Sequence, residues 1–197
     1  MPAKPPPRAT PATATRLSAA DWAQAALTVI GESGLSAVAV EPLAKRLGTT
    51  KGSFYWHYPN RQALVDAALQ SWEAEHTEAV IAAIRAHEDP AEQLRALLVL
   101  VVDYSRNDKI EVALLASARN PQVANIIQRV TRRRIDYVAE LYTLMGDEPA
   151  RARRWATLAV SVYLGHTQLA HVSTDLVPTG AEWQAYLDEL IETLTTN

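Results

Sequence analysis

The chain has 197 residues, with 19 lysines and arginines against 22 aspartates and glutamates, five histidines and no cysteine. Without a thiol there is no disulfide framework, thiolate zinc site, iron–sulfur cluster or thiol redox switch. The net charge of −3 gives no overall pull toward a phosphate backbone, yet it is unevenly divided: residues 1–66 carry +3 and residues 67–197 carry −6.

The chain opens on an arm, residues 1–16, that holds five of the eleven prolines together with Lys4, Arg8 and Arg16 and no acid. Such a stretch offers nothing to bury against its ordering entropy, so a disordered or polyproline-like basic arm is expected. No apolar run follows the early basic residues, and the longest apolar stretch, residues 96–102, is far short of the ~18 residues of a membrane span. A cytoplasmic protein with no membrane partner is the expectation.

From there on the apolar residues recur at helical spacing. Ala23, Ala26, Leu27 and Ile30 form one stripe, and Trp183, Tyr186, Leu187, Leu190, Ile191 and Leu194 form another. Ser18 with Asp21, and Thr179 with Glu182, have capping-box spacing. Asp89-Pro90, Asn120-Pro121 and the Asp147-Glu148-Pro149 run each put a capping residue before a proline of a first helical turn. Gly34, Gly48 and Gly146 stand where helices stop, and no pair of strands with turn chemistry occurs. The expected fold is all-α, with about nine helices at 18–33, 40–47, 50–58, 61–86, 90–105, 109–118, 121–145, 149–173 and 180–195.

Two of these helices, 40–47 and 50–58, are unusually short and are joined by Gly48-Thr49-Thr50. That is the glycine-containing turn of a helix-turn-helix, whose second helix is offered to a DNA major groove. Thr50 caps the second helix, and Lys51 and Gly52 fill its first turn, where free N–H groups already favour a phosphate. Four aromatic rings and a histidine follow in Phe54-Tyr55-Trp56-His57-Tyr58. Phe54 and Tyr58 share the face over Leu43 and Leu47 and are expected in the core. Tyr55, Trp56 and His57 cannot all join them, and rings facing solvent on so short a helix call for a partner.

The stretch GLSAVAVEPLAKRLGTTKGSFYWHYPNRQALVDAAL, residues 34–69, resembles the DNA-binding domain of the TetR family of transcriptional regulators. The resemblance implies an N-terminal three-helix head over residues 17–66 and a helical ligand-binding and dimerisation body over 67–197. It implies DNA contacts from Thr49, Thr50, Lys51, Gly52, Tyr55, Trp56 and His57, with Arg61 as a phosphate anchor. Glu41 stands where the family can have a base-reading basic residue; a carboxylate only accepts, so Glu41 is expected to face solvent or to pair with a nearby base such as Lys45.

In the body, helix 90–105 contains the near-continuous apolar run and is expected to be buried on all sides. Helix 149–173 is rich in small residues and, with helix 180–195, is the expected homodimer interface. A dimer also suits DNA, because two heads about 34–36 Å apart would read a palindrome. The Arg132-Arg133-Arg134 run is expected in solvent or in interhelical ion pairs. Family resemblance further implies a small-molecule pocket, for which Trp72, His76, Tyr104, Tyr137, Tyr142, Trp155, Tyr163, His166 and Gln168 are candidates. His166 and His171 lie five apart, the wrong offset for a shared metal on one helix. No cofactor, metal or catalytic group is expected. The sequence therefore points to a dimeric, ligand-responsive regulator, in the main a repressor that its effector releases from a palindromic operator. The alternatives are a helical interaction module that has lost DNA binding and an all-α enzyme, for which no phosphate loop, metal spacing or nucleophile arrangement speaks.

Overall fold

The computed structural model describes residues 17–195, so the basic arm expected over 1–16 lies outside the described residues. Ser18 opens α1 (Ala19–Ser33) with a complete capping box: its hydroxyl accepts from the Asp21 N–H, and the Asp21 carboxylate accepts from the Ser18 N–H at 2.7 Å. Gly34 ends α1 at φ +80°, a conformation that L side chains seldom adopt. A 3₁₀ turn, Leu35–Ala37, leads to α2 (Val40–Arg46) and α3 (Lys51–Tyr55). The helix expected over 61–86 is one run in three parts: α4 (Arg61–Glu73), a π-helical segment Ala74–Glu78, and α5 (Ala79–Ile84).

The remaining helices are α6 (Pro90–Ser105), α7 (Lys109–Ala116), α8 (Pro121–Leu144), α9 (Pro149–Val172) and α10 (Ala181–Thr195), with a 3₁₀ turn Thr174–Leu176 before the last. Asp89, Asn120 and Glu148 accept from first-turn N–H groups of α6, α8 and α9, each just ahead of the proline that opens the helix. The described residues contain no strand, and none of their helices is long and apolar enough to cross a membrane.

Two apolar cores hold these helices. The first gathers Trp22, Leu27 and Ile30 of α1, Leu43 of α2, Phe54 of α3 and Leu64 and Trp72 of α4, and continues into Leu114 of α7 and Val123, Ile126 and Val130 of α8. The head is thus seated on α7 and α8 by shared core side chains. Gly31 of α1 lies so close to α7 that a Cβ there would meet Ile110 Cγ1 at 3.1 Å. The second core joins α5, α6, α8, α9 and α10 around Leu94, Leu98, Val102, Tyr137, Tyr142 and Ile191.

One expectation is corrected here. α6 is not buried on all sides: Leu94, Leu97, Leu98 and Val102 face the core, while Val99, Leu100 and Tyr104 are exposed. An uninterrupted apolar run hides the 3.6-residue period, and α6 packs against α9, α10, α8 and α5 on one side only. Interhelical ion pairs add to the apolar contacts. Arg129 meets Glu73 at 2.6 Å, Arg133 meets Glu78 at 3.0 Å and Arg134 meets Glu111 at 2.6 Å, so two members of the arginine run find acidic partners on other elements as expected.

Candidate nucleic-acid interface and interior cavity

The α2–α3 turn is built by its own backbone and caps. Gly48 takes φ +65°, and the Thr49 N–H donates to Ala44 O at 2.9 Å. Thr50 then caps α3 by accepting from Ser53 N–H. Phe54 is fully buried, edge-on to Trp22 with ring centroids 5.3 Å apart. Tyr58 lies over Phe54 at 6.0 Å and donates its hydroxyl to Ala19 O at 2.8 Å. These two rings form the floor that fixes α3 against α1.

Above that floor the other aromatics turn outward. Trp56 is 83% exposed and Tyr55 55% exposed, so neither ring serves the protein's own core. Tyr55 still leans edge-on against Phe54 at 5.1 Å, which holds its phenol in place. Thr50, Lys51 and Gly52 are exposed, and Thr49 and His57 are half-buried. At Gly52 an added Cβ would meet nothing nearer than Thr50 Oγ1 at 3.6 Å, an ordinary contact. The fold itself therefore places no demand for glycine at this position.

The charges of the head are paired differently from expectation. Glu41 reaches Lys51 at 2.8 Å across the turn, and Lys45 is not its partner; α2 and α3 cross closely enough that the head of α3 is nearer than the next turn of α2. The pairing holds the Glu41 carboxyl below, and the Lys51 ammonium above, its ordinary value. Arg61 donates from Nε to Val38 O at 2.6 Å and from Nη2 to Leu35 O at 2.7 Å. Its guanidinium thereby ties the start of α4 to the loop ahead of α2.

The body contains a small cavity of about 60 Å³, open on one side. Ile81, Leu97, Leu98, Val138 and Val160 line it with apolar side chains, His76, Thr77, Arg134 and Tyr163 form a polar end, and Tyr137 lines it as well. A neighbouring pocket shares His76, Val101 and Tyr163 with it and adds Glu75, Tyr104 and Asp108. The π-helical segment is what presents His76 and Thr77 here, a use to which such segments are often put.

Of the sequence candidates, His76, Tyr104, Tyr137 and Tyr163 line this space. Trp72 stacks on His76 at 6.2 Å but belongs to the first core. Tyr142 and Trp155 pack together at 6.5 Å in the second core, where burial pushes the Tyr142 phenol up to about 12 and its hydroxyl donates to Leu194 O. His166 meets the Tyr186 hydroxyl at 2.6 Å, in a cluster with Trp183. None of Trp72, Tyr142, Trp155 and His166 lines the cavity, nor does Gln168.

Sequence reasoning missed the polar end of the cavity. Arg134 holds both carboxylate oxygens of Glu111, at 2.6 and 3.2 Å, and Tyr163 donates to Glu111 Oε2 at 2.6 Å. Burial, and the Glu111 carboxylate beside it, push the Tyr163 phenol well above its ordinary value. Asp108, the N-cap of α7, accepts from Glu111 N–H at 2.9 Å. The sequence signal was an Asp-x-x-Glu ahead of an apolar run, a capping pattern that gives no hint of an arginine 23 residues further on. On α9 the exposed Leu158, Gly165, Leu169 and Val172, with half-buried Val162 between, form a stripe at helical spacing that no described element covers.

A helix-turn-helix head with an aromatic outer face, seated on a larger helical body that holds a cavity, defines a class of two-part helical proteins. Residues 24–68 match the model of the bacterial regulatory proteins, tetR family. The tetracycline repressor protein class A from transposon 1721 of Escherichia coli is 37% identical over 67 residues, which are 34% of this chain and 31% of that one; the match thus spans about a third of this curated relative. A transcriptional regulator from Rhodococcus sp. Rha1 shares the fold with a TM-score of 0.73 at 22% identity, over 91% of this chain and 94% of that one. AibR, solved with isovaleryl coenzyme A and operator DNA, does so with a TM-score of 0.65 at 17% identity, over 90% and 97%. Residues 24–68 thus carry the sequence pattern of the tetR-family model, and the whole chain shares the fold of these solved structures.

Proposed function

We propose that the chain is a transcriptional regulator that binds duplex DNA through the α3 face of two heads in a homodimer, and that a small molecule in the body governs the binding. The observation that carries this reading is the display of Tyr55 and Trp56, outward beside the exposed first turn of α3. Buried nowhere in the protein, these rings are free to meet thymine methyls, sugars or phosphates. Thr49, Thr50 and Lys51 lie at the head of α3, where hydroxyls, an ammonium and free N–H groups suit a phosphate. Gly52 lets the backbone approach the duplex, a role consistent with the absence of any internal need for glycine there. His57 adds a donor at the end of the helix. Arg61 acts mainly by bracing the loop that carries α2, with its remaining N–H groups available to a phosphate.

DNA binding is assigned to residues 17–66, and effector binding and dimerisation to 67–197. The uncovered apolar stripe of α9, together with α10, supports the dimer. His76, Tyr104, Tyr137 and Tyr163 are the proposed effector contacts. In this reading the protein is a cytoplasmic repressor whose effector favours the spacing of heads that does not fit the operator. Repeated selection of bound sequences from a random duplex pool tests it. The expected product is a palindrome whose half-sites lie about 10 base pairs apart or a multiple of that. A Gly52→Ala variant should fold as well as wild type and bind that duplex at least tenfold more weakly. Failure to enrich any sequence, or full binding by Gly52→Ala, would contradict the proposed docking.

A further inference from the structure

The polar end of the cavity has an imbalance of charge that points to the chemistry of its ligand. Five groups in or beside the two pockets can carry charge: Arg134, His76, Glu75, Asp108 and, paired with Arg134, Glu111. Arg134 and Glu111 cancel one another in a two-pronged pair, and the Tyr163 hydroxyl completes the coordination of Glu111. The Arg134 Nε is turned to Thr77 Oγ1. Apart from His76, which stands beside Asp108, no cation remains for an anionic ligand.

Asp108 is the opposite case. Its side chain is 2% exposed, and Oδ1 accepts the Glu111 N–H, but Oδ2 makes no hydrogen bond within the protein. His76 Nδ1 stands 3.9 Å from Oδ2, beyond hydrogen-bond distance. A buried acceptor without a donor is costly, and more so when it is charged. Burial, reinforced by the Glu111 charge, pushes the Asp108 carboxyl above its ordinary value. Oδ2 thus has no donor within the protein, and Asp108 lines the pocket beside the cavity. A third carboxylate, Glu75, lines the same pocket as Asp108, and the rings of His76 and Tyr104, edge-on at 5.6 Å, stand beside it.

We infer that the cavity and the pocket beside it together take a slim apolar molecule bearing one positive charge, such as a primary alkylammonium, with its chain among Ile81, Leu97, Leu98, Val138 and Val160 of the one and its ammonium donating to Asp108 Oδ2 in the other. The inference rests on the effector-binding reading above and names the class of effector. Asp108 is also well placed to report occupancy. It caps α7, and α7 packs through Ile110 on Gly31 of α1 and through Leu114 into the core of the head. A ligand that engages Asp108 thus acts on the helix on which the head is seated.

The test uses the full chain and three probes of one length: n-octylamine, n-octanol and octanoate, titrated near neutral pH into wild type and Asp108→Asn. Asparagine keeps the α7 cap but supplies no charge. Octylammonium should bind at least tenfold more tightly than the other two, and Asp108→Asn should remove that preference while leaving octanol within twofold. The thermal midpoint of free Asp108→Asn should equal or exceed that of wild type; if the variant fails to fold, the ranking of the three probes on wild type decides alone. Preference for octanoate, an unchanged octylammonium affinity in folded Asp108→Asn, or binding of none of the three would overturn the inference. Release of the selected duplex is scored separately. Tight octylammonium binding without release would overturn the regulatory reading and uphold the cation site, whereas release by octanoate alone would do the reverse.

Discussion

The face of the head and the interior of the body handle polar and aromatic groups in opposite ways. In the head the apolar floor of Trp22, Phe54 and Tyr58 is closed, and Tyr55, Trp56 and Lys51 stand out in water above it. In the body Tyr137, Tyr142 and Tyr163 face inward, and an arginine and two carboxylates are buried beside a cavity. A surface built to meet a large rigid polyanion needs its contacts displayed. A site for a small molecule needs them enclosed, where each polar group without a partner exerts a large effect.

This contrast is sharpest in what its members should do when removed. Glu111→Ala leaves the buried Arg134 guanidinium without its carboxylate and should lower stability by about 3–5 kcal/mol, read from urea unfolding. A loss near zero would mean that the interior pair is hydrated like a surface one. Exchanging Tyr55 and Trp56 together for alanine should cost about a hundredfold in affinity for the selected duplex and shift the thermal midpoint little, since both rings are exposed. A large fall in the midpoint with binding intact would make them structural and erase the contrast.

Arg61 falls between the two regimes. Arg61→Ala should destabilise the head by about 1–3 kcal/mol through loss of the bonds to Leu35 and Val38 carbonyls. Lysine should fail to restore that stability, because it lacks the fork that reaches both carbonyls; full rescue by lysine would make the phosphate contact its main role. The smallest effect belongs to the exposed Glu41–Lys51 pair. Glu41→Gln should free Lys51 and tighten DNA binding about two- to threefold, with a steeper dependence on salt. An unchanged salt slope would place Lys51 off the phosphates.

The same contrast explains what was legible in the sequence. Helix ends were carried by local chemistry: Ser18 with Asp21, Asp89 before Pro90, and Gly34 and Gly48 at positive φ all act within a few residues of one another. The outward turn of Tyr55 and Trp56 followed from three rings crowding a helix too short to bury them. The burial of α6 was overstated because an unbroken apolar run has no period to show which side faces out. The cavity's polar end stayed hidden because it joins α7, α8 and α9 across 23 and 52 residues of chain. The Glu41 partner lay ten residues away, across the turn, where helical spacing has no say. The π-helical segment that brings in His76 and Thr77 was hidden too, since its sequence reads as plain helix.

The central claim is that two heads of this acidic protein dock on one duplex through α3. The mass of the complex with the selected duplex, measured together with a backbone-cleavage footprint, tests it most directly. Two chains per duplex, with protected half-sites about one helical turn apart or a multiple of it and protection lost in the Tyr55 and Trp56 double variant, is the result expected. One chain per duplex, or a footprint unchanged by removing those rings, would contradict it.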